Sequence, residues 1–370
     1  MLKKICFIIP RAYYLFNPDI SGAEDKVGGA QKQSYILSTS LAEDPNFDVH
    51  FCVADFGQED FEERQNVKLW KTLNFSDHIF KRTCSLIKKI KKINADTYIF
   101  RSADVGVAFI VFYIKLFLKK RILYMIAADA ETTKKRQKQH SGLLTAFAMQ
   151  KVYKKADIIT AQTKQQSDIF EKDRNRKPNA VINNIYTVEN DIQINHKEKN
   201  TILWVGRLTK IKKPELFINL AIKYPTEEFI MIAPIVRDHI EYGKRIQEKA
   251  KQITNLELID FVNPTEINEY YKKAKVYILT SDLEGFSNTM AEAMMAKCPI
   301  LSYNVNPDDI LNKYKSGFCA EKNINQFYSY FEKLNNDIEL RKQFGKNGIA
   351  YIQEKHKKEV IIKDFKELLK

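Results

Sequence analysis

Two glutamates, Glu284 and Glu292, stand in one short segment of the chain with seven residues between them. Paired carboxyl groups of this kind serve as the acid and the base of glycoside hydrolases, and they also approach bound ligands from two sides. A structural interpretation is open as well, because Thr289 and Glu292 have the spacing of a helix capping box. Spacing alone therefore does not show whether the two glutamates act on a ligand or only stabilise the start of a helix.

The elements around the glutamates give them a position. The apolar run 276–280 predicts a buried strand, residues 293–297 favour a helix, and Pro299 opens a second apolar run. This order places the loop that contains Glu284 at the carboxyl end of a strand, where open α/β sheets bind ligands. The start of the following helix points its backbone N–H groups into the same crevice, so an anion would be stabilised there.

At this segment the chain resembles a known family. The residues EGFSNTMAEAM, 284–294, are similar to the motif of the retaining glycosyltransferases of family four, which have the GT-B fold. The resemblance implies that Glu284 contacts the donor sugar and that Glu292 binds the ribose of the nucleotide. It also implies that backbone amides around Ser287, Asn288 and Thr289 hold the donor diphosphate.

A basic pair follows another predicted strand, Thr201–Val205. Arg207 and Lys212 match the diphosphate-binding pair of the same family. Arginine offers a planar fork to phosphate oxygens and lysine a point charge, so together they can offset the charge that grows on a leaving diphosphate. The alternative is a pair of ordinary surface cations. The resemblance further places the nucleotide base at the backbone near Val262.

The first half of the chain has its own candidate residues. A long loop, 10–29, follows the first predicted strand and ends in Gly28 and Gly29, where a helix begins. Long loops in compact domains tend to be functional. Without side chains, paired glycines let backbone amides approach a phosphate or a sugar closely, although a plain turn explains them equally well.

Arg101 and Asp129 stand just past two apolar strands, on the ligand side of such a sheet. Many members of the family have a histidine beside the reacting carbon where this chain has Ala127, Ala128 and Asp129. Asp129 is therefore the candidate catalytic group for positioning the acceptor, with loop capping as the alternative. Arg101 is assigned to the acceptor or membrane side.

Charge indicates an anionic partner. The net charge of +14 and the pI near 9.2 favour nucleotides, phospholipid surfaces or nucleic acid. The segment 79–93 predicts an amphipathic helix that carries Lys88, Lys89 and Lys92 among apolar residues. It is either a solvated face on a core or an interfacial surface, where each lysine near an anionic leaflet adds roughly 1 kcal/mol. We expect peripheral contact with an anionic membrane and no nucleic acid.

The five cysteines are scattered and mostly lie in apolar runs, so we expect free thiols in a reducing compartment. The longest apolar stretch, 105–118, is interrupted by Lys115 and is too short to span a membrane. The expected location is cytoplasmic, on the inner face of the cytoplasmic membrane. No cysteine has metal-ligand spacing and no Asp-x-Asp ends an apolar strand, so neither a metal ion nor a cofactor is expected.

A chain of 370 residues exceeds what one hydrophobic core usually serves. Two series of alternating strands and helices predict an α/β protein with two Rossmann-like parallel-sheet domains facing across a cleft, the GT-B arrangement. We expect an acceptor-side domain at 1–188, a linker in the polar run 187–200, and a nucleotide-sugar domain at 196–354. The last helix, about 355–370, is expected to pack back on the first domain, as in relatives.

Together with these features, the resemblance to family four implies a retaining, metal-independent hexosyltransferase. The donor would be a nucleotide-diphosphate sugar, with a UDP-sugar as the first expectation, and the acceptor a saccharide, expected to be lipid-linked, in capsule, O-antigen or lipopolysaccharide synthesis. Two alternatives stay open. One is a glycoside hydrolase that uses Glu284 and Glu292, which Arg207 and Lys212 disfavour because a hydrolase needs no diphosphate clamp. The other is a GT-B-shaped nucleotide-binding or membrane-binding protein without turnover.

Overall fold

The computed structural model describes residues 2–18, 28–188, 199–263 and 266–370. The chain forms two compact units, Met1–Ile185 with Lys358–Lys370, and Tyr186–Lys357. Each unit has its own sheet, with an apolar core on both faces of that sheet. Most of the linker predicted at 187–200, and residues 19–27 of the long first loop, lie outside the described residues.

The first unit contains an eight-stranded sheet. Its strands are β1 Lys3–Ile8, β2 Phe47–Val53, β3 Phe61–Arg64, β4 Val67–Lys71, β5 Thr97–Phe100, β6 Arg121–Met125, β7 Ile158–Ala161 and β8 Ala180–Val181. They lie in the order β3-β4-β2-β1-β5-β6-β7-β8. Every pair is parallel except β3 with β4, which form an antiparallel edge. The central strands are buried on both faces, which explains why they read as continuous apolar runs.

Helices cover both faces of this sheet. They are α1 Tyr13–Phe16, α2 Gly29–Ala42, α3 Ile79–Ile93, α4 Val105–Tyr113, α5 Lys134–Lys155 and α6 Lys164–Arg174. A π-helix, Ile114–Leu118, continues α4, and short 3₁₀-helices occupy Pro10–Ala12 and Asp129–Glu131. Helix α2 packs in one core cluster, whereas α3, α4 and α5 share the cluster on the opposite face. Helix α5 has non-helical backbone at Gly142, where φ is 80°.

The second unit contains six parallel strands. They are β9 Thr201–Val205, β10 Glu228–Ile232, β11 Leu256–Ile259, β12 Ala274–Leu279, β13 Ile300–Ser302 and β14 Gly317–Cys319. The order is β11-β10-β9-β12-β13-β14. The helices are α7 Pro214–Lys223, α8 Ile240–Lys251, α9 Ile267–Lys273, α10 Asn288–Met295, α11 Ile310–Lys313, α12 Ile324–Asn336 and α13 Ile338–Lys355, with 3₁₀-helices at Lys210–Lys212, Arg237–His239 and Pro307–Asp309.

The last helix, α14 Lys358–Leu369, belongs to the first unit. Ile361 and Phe365 are buried in the same core cluster as Leu37 and Leu41 of α2. Burial of such side chains contributes about 1.5–3 kcal/mol each, which is enough to hold a twelve-residue amphipathic helix in place. The first unit is therefore built from both ends of the chain.

The predicted class, α/β with two Rossmann-like parallel sheets, is confirmed. Strand β3 was not predicted, because FEER has no apolar run to reveal it and forms only as the antiparallel partner of β4. The apolar stretch 105–118 forms an α-helix followed by a π-helix. Four of the five cysteines are buried free thiols, as expected, while Cys84 on α3 is exposed.

Candidate active site

The strand order of the second unit creates a topological switch point. From β9 the chain adds β10 and β11 on one side, and then crosses back to place β12 on the other side. Loops that leave the carboxyl ends of two such strands diverge and open a crevice, where α/β proteins bind ligands. Arg207 and Lys212 follow β9, and Glu284 follows β12. The sheet therefore brings the basic pair and the first glutamate to the same crevice.

An ion pair joins the two loops. The Nζ atom of Lys212 lies 2.6 Å from Oε1 of Glu284, and the two side chains are only 20% and 15% exposed. The loop backbone is fixed as well, because the hydroxyl of Thr280 donates to the carbonyl of Lys212 and itself accepts from Trp204 Nε1 at 2.8 Å. The position of the Lys212 ammonium is thus set by the sheet and not by side-chain rotation alone.

A second link joins the residue after Lys212 to a residue two positions before Glu284. Lys213 Nζ contacts Asp282 Oδ1 at 2.7 Å, and the Asp282 amide donates to the carbonyl of Ile211 at 2.8 Å. Lys213 has left-handed backbone, with φ of 46°, at the turn into α7. Two parallel connections between the same loops make this end of the sheet rigid, which favours a preorganised site.

The partners of Glu284 determine its charge. Burial by itself would raise the pKa of this carboxyl, but the Lys212 ammonium, together with hydrogen bonds from Lys212, Ser281 and Ser287, outweighs burial and holds the pKa below its ordinary value. Glu284 is therefore ionised at neutral pH. It can accept hydrogen bonds from a ligand, but it is poorly suited to donate a proton as the general acid of a hydrolase.

Helix α10 begins directly after this loop, with Ser287 as its N-cap. The Ser287 side chain caps no helix amide. Its hydroxyl lies 2.8 Å from the hydroxyl of Thr289, which also accepts from Tyr277 at 2.7 Å. The first amides of a helix have no partner within the helix, so the turn that starts at Asn288 presents N–H groups and the positive end of the helix dipole. Such a turn suits a phosphate.

Glu292 is half-buried in the second turn of α10. Its Oε2 accepts from the hydroxyl of Tyr271 at 3.2 Å. The capping-box interpretation is wrong, because the N-cap is Ser287 and Glu292 lies two residues beyond the position that a capping-box carboxylate occupies. The helix starts two residues earlier than that interpretation required.

Two further residues of the predicted set lie at this end of the second sheet. Arg207 is exposed and directly follows Gly206 at the end of β9. Val262 follows β11, two strands away from β9, and is buried in the core cluster that also contains Phe286 of the Glu284 loop. The Arg207 side chain is thus exposed to solvent, where a ligand could contact it. The Val262 side chain lies in the core, so only the backbone of Val262 could contact a ligand.

Two residues that the sequence did not reveal support this loop. The hydroxyl of Tyr186 donates to Oδ1 of Asn288, and its backbone N–H donates to the carbonyl of His356 at 3.2 Å. The ring of His356, 1% exposed, lies 4.3 Å from the ring of Phe286. Both ends of the second unit therefore contact the loop. No sequence signal pairs residues so far apart, although both lie near the predicted domain boundaries.

The first unit repeats the topology with different chemistry. Its switch point lies at β1, between β2 and β5. Helix α2 begins here at Gly29, but the N–H of Gly28 donates to Oε1 of Gln31 at 3.1 Å. A Cβ atom on Gly28 would lie 2.9 Å from that oxygen, so the glycine serves close approach of Gln31. The expectation that the Gly28 amide faces a phosphate is corrected accordingly, while Gly29 is exposed.

Arg101 follows β5 and is 5% exposed. Its Nη2 donates to Oδ1 of Asn184 at 2.7 Å. A guanidinium buried in this way does not lie on a membrane-facing surface, so of its two assigned positions only the acceptor side remains a proposal. Asp129 is half-buried at the start of a 3₁₀-helix, where Oδ1 accepts from Gln166 Nε2 at 3.1 Å.

A buried carboxyl that was not singled out supports the Asp129 loop. Glu131 is 5% exposed, and its Oε1 accepts the amides of Ala127 and Ala128 at 3.0 and 3.1 Å, while Oε2 accepts from Tyr124. Burial raises the pKa of Glu131. The spacing from Ala128 to Glu131 has the form of a capping box, which is the signal that could have found it.

The lysines of the predicted amphipathic helix lie on α3, and Leu86, Ile90 and Ile93 form its buried side. Lys88 is exposed, Lys89 lies 3.2 Å from Asp60, and Lys92 stands 5.2 Å above the ring of Trp70. These lysines belong to the first unit, and the residues of the donor-side crevice belong to the second.

Within the described ranges, no three His, Cys, Asp or Glu side chains are grouped so that they could hold a metal ion. No described helix is both long and apolar enough to cross a bilayer.

Solved structures define the class of protein. Sucrose-phosphate synthase from Thermosynechococcus elongatus is similar with a TM-score of 0.82 at 14% identity, over 99% of this chain and 98% of that chain. Anabaena HepE in complex with UDP and glucose is similar with a TM-score of 0.74 at 12% identity, over 99% of both chains. Likeness at such low identity shows the fold alone, and it confirms the predicted GT-B class.

Sequence comparison defines the family of the second unit. Residues 188–351 match the model of the family described as glycosyl transferases group 1. An uncharacterized glycosyltransferase of Methanocaldococcus jannaschii is 25% identical over 73% of this chain and 68% of its own length. The O-antigen biosynthesis glycosyltransferase WbnH of Escherichia coli is 31% identical over 33% of this chain and 35% of its own length. Over these residues the chain is similar to the group 1 glycosyltransferases, and the resemblance predicted from the sequence is confirmed.

Proposed function

We propose that the protein is a retaining hexosyltransferase that moves a sugar from a nucleotide-diphosphate donor to a saccharide acceptor without a metal ion. The observation that carries the proposal is the Lys212–Glu284 ion pair, 2.6 Å long, at a switch point where a helix also begins. One crevice thereby combines a cation, a helix start for a diphosphate, and an ionised carboxylate for sugar hydroxyls. A hydrolase needs only the carboxylates.

The donor would be held by complementary charge. The ammonium of Lys212 has three hydrogens, so the bond to Glu284 leaves two for phosphate oxygens. Arg207, exposed at the end of β9, supplies a planar fork, and the amides of Asn288 and Thr289 supply the helix dipole. Glu292 would accept the ribose hydroxyls. These groups offset the charge that grows on the leaving diphosphate, which is the work that a metal ion does in other enzymes.

Transfer itself breaks the bond between the anomeric carbon and the diphosphate oxygen and forms a bond from that carbon to the acceptor oxygen. The acceptor proton passes to the leaving phosphate on the same face of the sugar, which retains the anomeric configuration. Retention is proposed from the resemblance to family four. Asp129, held by Gln166 on the loop that Glu131 organises, would position the acceptor.

Relatives support the choice of substrates. UDP occupies the structure of HepE, so a UDP-sugar is the proposed donor. WbnH is named for O-antigen biosynthesis, which supports a saccharide acceptor in the synthesis of a surface polysaccharide. We propose that this acceptor is lipid-linked. The proposed location is the cytoplasmic face of the membrane where these acceptors lie.

The experiment is incubation of the purified protein with a panel of nucleotide sugars and a membrane lipid extract, followed by mass spectrometry. We expect a product heavier by one hexose or one N-acetylhexosamine, an anomeric configuration retained by NMR, and undiminished turnover in EDTA. An Arg207→Ala protein provides the background. Free sugar released without an acceptor would indicate hydrolysis instead, and nucleotide binding without any product would indicate a protein that binds but does not turn over.

A further inference from the structure

The two faces of the first unit's sheet differ sharply in charge. Helices α3 and α5 carry six and seven lysine and arginine residues, the segment 105–118 carries one, and none of the three contains an aspartate or glutamate. On the opposite face, α2 has one lysine and no acid, and α14 balances three lysines with three acids. Helix α6, which packs in the same core cluster through Phe170, balances three basic residues with three acids. Positive charge is therefore concentrated on three elements of one face, which we call the basic face and define as α3, residues 105–118 and α5.

The basic face also exposes large apolar side chains. Six of them are 61–72% exposed, namely Phe109, Leu116, Phe117, Leu143, Leu144 and Phe147. Helix α4 contains no polar side chain before its final tyrosine, and a helix that is apolar all round is normally covered on every side. Its inner side packs in the core through residues such as Val107 and Val111. Its outer side, at Phe109, presents a ring to the surface.

Basic and apolar groups alternate in space on this face. Lys151 Nζ lies 4.7 Å from the centre of the Phe147 ring. Lys91 Nζ lies 5.8 Å from the Tyr113 ring, which stacks on Phe117 at 5.3 Å. An ammonium on a flexible stem can extend past the ring beside it while the ring points inward. This arrangement fits a surface with an apolar interior below a layer of negative charge.

We propose that the basic face docks on an anionic phospholipid bilayer, with Phe109, Phe117, Leu144 and Phe147 entering the headgroup region and the surrounding lysines contacting lipid phosphates. A second copy of the chain is disfavoured, because α3, residues 105–118 and α5 contain no carboxylate, and two such strongly basic faces would repel each other. Nucleic acid would satisfy the charge but would leave the leucines and phenylalanines without apolar contact. A bilayer surface satisfies both features at once.

This inference goes beyond the proposed transfer reaction and does not depend on it, because no residue of the basic face lies in the donor-side crevice. It also revises the sequence-based expectation. The predicted surface was the basic helix 79–93, with further basic clusters at 119–121, 134–138 and 151–155, and Lys89 of that helix is paired with Asp60. The structure adds exposed apolar side chains on the helices beside α3 to Ile79 and Phe80, which are exposed at the start of α3 itself.

The test is flotation of the full chain with large unilamellar vesicles, without nucleotide sugar. We expect binding to vesicles of phosphatidylcholine with about one-third phosphatidylglycerol, and little binding to phosphatidylcholine alone. Binding should weaken strongly between low and high salt. A Lys151→Gln, Lys154→Gln, Lys155→Gln protein should lose roughly tenfold or more in partition coefficient. A Leu144→Ser, Phe147→Ser protein should lose about as much even at low salt.

Matched controls come from the second unit. Lys244→Gln, Lys249→Gln, Lys251→Gln on α8 removes the same charge from exposed positions, and Ile222→Ser, Ile240→Ser removes exposed apolar side chains. Both controls should bind vesicles like the unchanged protein, and circular dichroism should show all proteins folded. The proposal is overturned if the controls lose as much binding as the basic-face variants, if neither vesicle type is bound, or if sedimentation shows a dimer that the Leu144→Ser, Phe147→Ser change abolishes.

Discussion

Each unit has a topological switch point in its sheet, and the residues at the two switch points differ in charge. At the switch point of the second unit, opposite charges join the loops after β9 and β12, through Lys212 with Glu284 and Lys213 with Asp282. At the switch point of the first unit, the N–H of Gly28 is taken up by Gln31, a neutral amide. Fold alone therefore does not determine which unit receives an anion. In the proposed function, the charged loops make the second unit the one that binds the diphosphate.

The largest expected effect tests whether the charged crevice is the diphosphate site. Arg207→Ala should lower kcat/KM for the donor by roughly 10²–10³-fold, because a cation aimed at developing charge is worth about 2.7–4 kcal/mol. Steady-state kinetics with a UDP-sugar measures this. Lys210→Ala, at an exposed position of the neighbouring turn, is the control and should stay near the unchanged protein. Equal activity of both variants would remove Arg207 from the site.

A second effect concerns the ion pair, with Lys212→Met expected to lower kcat/KM by roughly 10²-fold. In the unchanged protein the pKa of Glu284 is depressed, so the pair stabilises the fold above the ordinary glutamate pKa and loses that contribution as pH falls through the folded-state pKa. Without Lys212, burial of the carboxyl is opposed only by the hydrogen bonds from Ser281 and Ser287, so the pKa of Glu284 rises. The acid limb of the pH–rate profile should therefore move to higher pH.

The matched measurement is thermal unfolding of both proteins between about pH 4 and pH 7. Removing one partner of a pair this well buried should destabilise the variant by about 2 kcal/mol or more at neutral pH. The difference in stability should shrink toward acid pH, where Glu284 is protonated in either protein. A pH-independent difference would show that Lys212 acts through packing and not through the charge of Glu284.

The first unit should respond differently. Asp129→Asn should lower kcat with a given acceptor by about 10²-fold, which is the lower end of what positioned acid–base groups contribute. The affinity for UDP, measured by calorimetry, should not change. Asp168→Asn, on the exposed face of α6, is the control. A loss of UDP affinity in the Asp129 variant would contradict the proposal that the second unit binds the donor and the first unit binds the acceptor.

The smallest expected effect sharpens the account of the donor loop. Tyr186→Phe removes the hydrogen bond to Asn288, which contributes about 0.5–1.5 kcal/mol, so KM for the donor should rise roughly two- to tenfold with kcat little changed. Tyr224→Phe is the control. It also removes a tyrosine hydrogen bond, the exposed one to Glu332, and should not change KM. A fall in stability without a change in KM would give Tyr186 a purely structural role.

Local patterns predicted a good part of the fold. The amphipathic helix 79–93 and the strand 201–205 have the predicted bounds, because buried faces leave periodic or continuous apolar runs in the sequence. Partnerships across the chain could not be predicted in the same way. Lys212 and Glu284 are 72 residues apart, and nothing local to either indicates that β9 and β12 become neighbours.

Side chains whose role is to position other groups were the hardest to predict from the sequence. Glu131 looked like any loop acid until burial and the amides of Ala127 and Ala128 showed that it shapes the loop of Asp129. Gly28 matched a phosphate-binding pattern, but Gln31, three residues later, occupies its amide. In both cases composition pointed to the correct loop, and only the three-dimensional contacts showed which atom does what.

The most direct test of the central claim is a crystal structure of the protein with UDP. We predict that the diphosphate lies at the end of β9 and β12, with oxygens within hydrogen-bond distance of Arg207, Lys212 and the amides of the first turn of α10, and that the ribose hydroxyls contact Glu292. A diphosphate bound elsewhere, with the Lys212–Glu284 pair and the start of α10 facing only solvent, would contradict the account.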